Sequence, residues 1–349
     1  SQMNNLISWQ EILSQLSNKK DLTFDQAQWA MNSVMDAKAS EAEIKEFLLG
    51  LKNKSESAEE ISAFVEVMIQ HAKKLEINHD AVDTCGTGGD GFNTVNISTA
   101  AAIVVASCGI PVVKHGNRAA SSKSGSADVL EALKIKIDLN PEQVKDSFYK
   151  VGICFCFAPV FHPAMKIVAP VRKELATSTV FNFLGPLSNP ATPKAQVVGV
   201  SNLDKAPVIA QVLAKRKTNA LVVRGLEGLD EISICGPTQI WQVKNNDVNE
   251  FIFDAKNVGI EKVDISQLQG ADAFRNADLI KQALSPDTTN ALQDAICINA
   301  AAAIVAYENQ DLNFETAINL AFARAKGSVA SGMSLNTLQK WQDYSKSIS

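Results

Sequence analysis

The sequence predicts an α/β protein, with a small all-α helical domain at the N-terminus followed by a larger α/β domain whose mostly parallel central sheet is flanked by helices. Three observations carry this. Helical periodicity fills the first seventy-odd residues, and strand-like and helix-like runs alternate from Val82 onward. In addition, 46% of the 349 residues are hydrophobic against 20% charged, ample material for a buried core and too apolar for a disordered chain. The expected boundaries are 1–77 for the helical domain and 78–349 for the α/β domain, with a helical stretch at about 162–190 packing back on the small domain.

Four helices open the chain. Ser8…Glu11, Thr23…Gln26, Ser40…Glu43 and Ser57…Glu60 each place a hydroxyl three residues before an acid or amide. In that pattern the hydroxyl accepts from a first-turn N–H and the third side chain reaches back. Apolar stripes follow at i, i+3, i+4, i+7: Trp9/Ile12/Leu13/Leu16, Ala27/Ala30/Met31/Val34, Ile44/Phe47/Leu48/Leu51 and Ile61/Phe64/Val65/Met68. Strands are expected at 82–85, 110–113, 151–157, 196–200, 220–223 and 239–243. Helices are expected between them at 98–107, 206–214 and 279–284, and at 291–307 and 314–325 near the C-terminus.

Net charge is −5, so a generalised basic surface for nucleic acid is not expected. Nor is a membrane span, because the longest apolar stretches, such as 300–307, fall short of roughly 18 residues. The start shows no charged-then-apolar leader, and Ser1-Gln2 ahead of Met3 reads as an addition to the native chain. Six cysteines, of which only Cys154 and Cys156 are close, lack metal-site spacing and read as free thiols of a reducing compartment, hence the cytoplasm.

Three segments carry chemistry. Gly86-Thr87-Gly88-Gly89-Asp90 follows a strand and precedes a helix, so bare N–H groups can approach a phosphate, with Asn96, Ser98 and Thr99 as further donors at the helix start. It matches neither the dinucleotide fingerprint nor the Walker loop, and a plain strand-to-helix turn explains such glycines equally well. Segment 114–128 has no bulky apolar residue but three cations, one acid, four serines and two glycines, which suits a loop that folds over a polyphosphate. Asp230-Glu231 lies just past a strand, where adjacent carboxylates suit Mg²⁺, although an acidic pair alone is usually a solvated turn. His115 and His162 show no nucleophile partner at an informative spacing, and His162 reads as a packed structural residue. Arg172 sits on a helical stretch, where it either forms a surface ion pair or clamps a carboxylate bidentately.

Taken with Asn182-Phe183-Leu184-Gly185-Pro186-Leu187-Ser188-Asn189-Pro190, these motifs closely resemble the anthranilate phosphoribosyltransferase family over nearly the full chain. The resemblance implies transfer of the 5-phosphoribosyl group of phosphoribosyl pyrophosphate (PRPP) to the amine of anthranilate, with release of pyrophosphate, the second step of tryptophan biosynthesis from chorismate. It implies PRPP binding by Gly86, Gly89, Asp90, Thr94, Asn96, Ile97, Ser98, Thr99, Lys114, His115, Gly116, Asn117, Arg118, Ala119, Ala120, Ser121, Ser122 and Ser126. Lys114, Arg118 and Asp90 would be catalytic, and Gly86, Asn117 and Arg172 would hold anthranilate. Ser98, Asp230 and Glu231 would bind two Mg²⁺ ions per subunit, and a homodimer would form through the helical domain. The chain departs from many members at Ala176 and Ser178, where Gly and Arg are usual. Rival readings are a pyrimidine nucleoside phosphorylase, a phosphoribosyltransferase with another aromatic acceptor, and a nucleic-acid-binding relative, which the acidic charge and the intact motifs oppose.

Overall fold

The computed structural model describes residues 6–119 and 124–348. The chain divides into two compact units, Ser1–Lys74 with Ala158–Pro190, and Leu75–Phe157 with Ala191–Ser349. The first unit begins with α1 (Trp9–Ser17), α2 (Phe24–Met35), α3 (Glu41–Lys54) and α4 (Ala58–His71). The second opens with β1 (Val82–Gly86), α5 (Ile97–Ser107), β2 (Val112–Gly116), α6 (Ser126–Ala132), α7 (Pro141–Val151) and β3 (Ile153–Phe157). The chain then returns to the first unit for α8 (Ala158–Phe161), a 3-10 turn at Pro163–Ile167, α9 (Ala169–Leu175) and α10 (Phe181–Leu187). It leaves again for β4 (Ala195–Gly199), α11 (Ala206–Lys215), β5 (Asn219–Gly225), β6 (Thr238–Lys244) and β7 (Asp247–Phe253). Helices α12 (Ala273–Ala283), α13 (Ala291–Glu308), α14 (Phe314–Ala330) and α15 (Met333–Ser347) complete it.

All four expected helix starts form. The hydroxyls of Ser8, Thr23, Ser40 and Ser57 accept from the N–H groups of Glu11, Gln26, Glu43 and Glu60. The last three side chains return a bond to the N-cap amide, at 2.9, 2.9 and 2.7 Å. The stripes are buried, apart from a half-buried Leu13, and Trp9, Phe47 and Phe64 meet edge to face at 5.2 and 5.7 Å. Glu60 is tolerated in this core because it also accepts from Leu22 N and Lys54 Nζ, at 2.8 and 2.6 Å. The returning segment is tied to the same unit: Lys73 N–H donates to Phe161 O at 2.8 Å, and His162 Nε2 bonds Ser188 O at 2.8 Å.

In the second unit the strand order is β3-β2-β1-β4-β5-β6-β7. The first five strands pair in parallel, and β6 runs opposite to them, pairing antiparallel with both β5 and β7. Helices α5 and α13 are apolar on nearly every face and buried accordingly. Boundaries differ from expectation where local chemistry wins. The strand expected at 110–113 is Val112–Gly116, so Lys114, His115 and Gly116 belong to β2 rather than to a loop. The strand expected from Val151 starts at Ile153, because α7 runs to Val151 and Gly152 turns the chain at φ 90°. The run expected at 279–284 is the end of α12, and α14 continues past 325 to Ala330.

Ala176 ends α9 in the left-handed conformation, at φ 50° and ψ 32°. A side chain there costs about 1–2 kcal/mol, partly offset by glycine's greater unfolded-state entropy. Ala176→Gly is therefore expected to stabilise the chain by about 1 kcal/mol in denaturant titration, and a destabilisation would contradict this assignment.

Candidate active site at the carboxyl ends of β1 and β4

The strand order reverses between β1 and β4, since the chain runs from β1 to β2 on one side but from β3 to β4 on the other. Open α/β sheets bind ligands in the crevice such a reversal creates. The register puts Gly86 opposite Gly199 at the carboxyl ends of these two strands. Asp230, reached through a turn after β5, lies against both. A Cβ on Gly199 would fall 1.6 Å from its carbonyl oxygen, and one on Gly86 2.5 Å from its Oδ2. Only glycines admit this approach.

The glycine turn wraps the same carboxylate. Gly88 and Gly89 have φ of 70° and 74°, and Gly88 N–H donates to Asp230 Oδ2 at 2.9 Å. Asp90 Oδ1 accepts from Phe92 N–H at 3.0 Å, while its Oδ2 lies 3.3 Å from Asp230 N. Thr94 Oγ1 donates to Glu231 Oε1 at 3.2 Å. Burial pushes the carboxyls of Asp230 and Glu231 well above the usual range, and negative neighbours add to it: Asp90 beside Asp230, and Asp230 then Asp90 beside Glu231. An acidic cluster of this kind favours a cation. Among the described residues no group of three or more His, Cys, Asp or Glu side chains is placed to hold a metal ion, so the carboxylates of Asp230 and Glu231 would be only part of a cation's shell. That donor set fits Mg²⁺, which takes one or two carboxylates and completes its shell with water and phosphate oxygens.

Lys114 is buried, its ammonium donating to Thr84 O. Burial holds its pKa below the ordinary lysine value, while the charge of Asp83 acts in the opposite direction. His115 is buried, with its amide 3.4 Å from Asp83 Oδ1. Gly116 lets Ser126 approach, since a Cβ there would meet Ser126 Oγ at 2.1 Å. Asn117 Oδ1 accepts from Arg118 N–H at 2.8 Å, and Asn117 O accepts from Ala127 N–H and Ser126 Oγ. Arg118 is clasped by α6, with Nη1 and Nη2 on Glu131 at 2.7 and 3.1 Å and Nη1 on Asp128 at 3.1 Å. Asp128 also accepts from Ala119 N–H and Gly125 N–H. Ala120, Ser121 and Ser122, and Lys123 after them, lie outside the described residues, as do Ser1 and Gln2.

At α5, Ile97 and Thr99 are buried, Ser98 is half-buried, and Ser98 O accepts from Thr84 Oγ1 at 2.8 Å. Gly86, Gly89, Asp90, Thr94, Asn96, Ser98, Lys114, Asn117, Arg118, Asp230 and Glu231 all belong to the second unit, whereas Arg172 belongs to the first. Arg172 is half-buried, with its guanidinium 5.7 Å from the Phe181 ring, and burial lowers its pKa. Sequence reading missed Gly199, Thr84 and Glu131. Each matters through a partner distant in the chain, and only the position of Gly199 at the end of an expected strand offered a signal.

Comparison with known proteins also finds two regions, although the larger runs through the Ala158–Pro190 segment that the structure groups with the helical unit. The glycosyl transferase family, a/b domain, matches residues 78–333, and the glycosyl transferase family, helical bundle domain, matches residues 10–72. The anthranilate phosphoribosyltransferase of Arthrobacter sp. (strain FB24) is 45% identical over 335 residues, covering 96% of this chain and 95% of that protein. That of Mycobacterium leprae (strain Br4923) is 43% identical over 356 residues, covering 100% of this chain and 97% of its own. Among solved structures, anthranilate phosphoribosyltransferase from Thermus thermophilus superposes with a TM-score of 0.89 at 34% identity, covering 96% and 99% of the two chains. The Saccharomyces cerevisiae enzyme in complex with PRPP and Mg has a TM-score of 0.83 at 27% identity, covering 93% of this chain and 92% of its own.

The two glycines rank the tolerance of this crevice. Gly199→Ala drives a Cβ into backbone and is expected to cost about 3 kcal/mol or more, while Gly86→Ala meets the more movable Asp230 side chain and costs less. Thermal unfolding of the two variants checks this order, and equal losses would contradict it.

Proposed function

The chain belongs to the anthranilate phosphoribosyltransferase family of the glycosyl transferases, and from that premise we propose how its residues divide the work of moving the 5-phosphoribosyl group of PRPP onto the amine of anthranilate. The products are N-(5-phosphoribosyl)anthranilate and pyrophosphate, in the second step of tryptophan biosynthesis from chorismate. The observation that carries the reading is the carboxylate pair Asp230–Glu231, with Asp230 packed against Gly86 and Gly199 at the reversal of strand order and accepting from the glycine turn at Gly88 N–H.

PRPP lies along this crevice. Gly86, Gly89, Asp90, Thr94, Asn96, Ile97, Ser98 and Thr99 hold it from the glycine turn and the start of α5. Residues 114–122 and Ser126 hold its phosphates from the end of β2 and the segment that follows. Asp230, Glu231 and Ser98 hold Mg²⁺, two ions per subunit, whose charge when bound neutralises the departing pyrophosphate. Asp90, Lys114 and Arg118 are the catalytic set. Lys114 adds positive potential from its buried position beside Thr84, and Arg118 meets the negative charge that develops on the leaving group. The sugar passes through an oxocarbenium-like state. The aromatic amine sheds its proton readily once bonded, so positioning carries most of the rate.

Gly86, Asn117 and Arg172 bind anthranilate. Arg172 takes the carboxylate: its guanidinium is half-buried on α9 beside Phe181, which supports a role in anion recognition. The chain acts as a homodimer formed through its helical domain, a reading that rests on the family resemblance. A reducing, cytoplasmic setting is supported by six free cysteines. No helix among the described residues is long and apolar enough to cross a membrane.

Two measurements test the reading. Loss of anthranilate fluorescence is expected on mixing the protein with PRPP and Mg²⁺, and EDTA is expected to abolish it; no loss under any metal condition would overturn the assignment. Arg172→Ala is expected to raise the anthranilate KM about 10- to 100-fold, with a much smaller change in kcat, as loss of a charge-assisted contact made equally in ground and transition states requires. A normal KM would remove Arg172 from the acceptor site.

A further inference from the structure

Asn96 is the N-cap residue of α5, yet its side chain makes no capping hydrogen bond. Three other asparagines in the chain do cap. Asn140, Asn290 and Asn313 accept from the N–H three residues on, at 2.9, 2.8 and 2.8 Å, each from an extended backbone with ψ of 166°, 172° and 156°. Asn96 instead has ψ 73°. Its Oδ1 accepts from Asn276 Nδ2 at 3.0 Å and its Nδ2 donates to Ser124 O at 2.9 Å. At an N-cap with extended backbone, an asparagine turns its oxygen onto the first turn of the helix.

Asn276 is built to hold that oxygen away. It is 2% exposed, on the first turn of α12, and its own Oδ1 accepts from Ala271 N–H at 2.8 Å. The segment leading to it is laced to the strand-to-helix loop. Leu268 O accepts from Val95 N–H at 2.9 Å, Gly270 N–H donates to Asn93 O at 2.8 Å, and Gln269 Nε2 reaches Phe92 O and Asn93 O at 3.2 and 3.3 Å. A Cβ on Gly270 would sit 3.0 Å from both Asn276 Oδ1 and Val95 N, so this strap lies tight against the loop.

We propose that Asn276 is a positioning residue for PRPP binding, which draws the Asn96 side chain off the first turn of α5 and so leaves that turn's N–H groups to the phosphates of the donor. Those N–H groups carry the positive end of the helix, and an anion there competes directly with a side-chain cap. The same contact orients the Asn96 amide so that its Nδ2 donates to Ser124 O. The inference rests on the reading of Asn96, Ser98 and Thr99 as PRPP-binding residues, and it adds a residue that touches neither substrate.

A double-mutant cycle between Asn276→Ala and Asn96→Ala tests it, with PRPP KM, anthranilate KM, kcat and Tm read for each variant. Asn276→Ala alone is expected to raise the PRPP KM about tenfold and to leave kcat and the anthranilate KM within about twofold. In the Asn96→Ala background the same change is expected to move the PRPP KM by less than about twofold, because Asn276 acts only through Asn96. Asn276→Asp keeps the acceptor for Ala271 N–H and replaces the alanine variant if that one does not fold. A charge effect of the aspartate would persist in the Asn96→Ala background, whereas loss of positioning would not. An unmoved PRPP KM, an equal rise in both backgrounds, or a fall in Tm with unchanged kinetics would overturn the proposal. The parent protein is the control: if it consumes anthranilate with PRPP and Mg²⁺ while the variant is unchanged, only the role of Asn276 fails; if it does not, the functional reading fails as well.

Discussion

The close approach of Asp230 to the ends of β1 and β4 is the constraint on which the site depends. Two strands end side by side on glycine, and the space their missing side chains leave is filled by the backbone and carboxylate of a residue from a third strand's turn. This packing seats a carboxylate pair from the segment after β5 against the ends of two other strands, where the glycine turn and Thr94 also hold it. It also buries charge: burial and the neighbouring carboxylates disfavour ionisation of Asp230 and Glu231. The protein tolerates that cost where a bound cation and a multiply charged ligand would relieve it, the usual relation between local destabilisation and function.

The charges on the other side of the crevice are arranged differently. Lys114 is internal, and its ammonium is satisfied by a backbone carbonyl. Arg118 is half exposed and held by two carboxylates of α6. Ion pairs of the exposed kind are worth about 1 kcal/mol or less, so Arg118 is parked at low cost, while Lys114 is set by the sheet. One cation is thus a fixed source of potential and the other is free to exchange partners. The segment that reads as a uniformly basic loop in sequence contains both.

Much of this is legible in the sequence. The helical unit announces itself through its caps and apolar stripes, because both are patterns written at spacings of three and four residues. The parallel strands read clearly as apolar runs bounded by glycine. β7 did not, since Asp247–Phe253 is an edge strand whose residues are mostly exposed, and its Asp-Val-Asn-Glu start looks like a turn. α15 has a polar composition, and its apolar stripe, Leu338, Trp341 and Tyr344, is too sparse to stand out. At the site, motifs local in sequence were found, while pairings over long separations were not. Asn276 meets Asn96 across 180 positions, and nothing in Arg275-Asn276-Ala277 marks it. Glu131 reads as an ordinary helix residue until Arg118 is seen lying on it.

The chain's passage back into the helical unit between β3 and β4 bears on how the protein can be divided. Ala158–Pro190 belongs with Ser1–Lys74, so the chain crosses from one unit to the other three times and neither is a contiguous stretch of sequence. A fragment ending near residue 74 would lack Phe161 O, which the Lys73 amide uses, and Ser188, whose hydroxyl lies 3.7 Å from Met68 sulfur. Truncation near residue 74 therefore yields an incomplete helical unit, and in synthesis the unit is not complete until residue 190 has emerged, long after β1, β2 and β3 have been made.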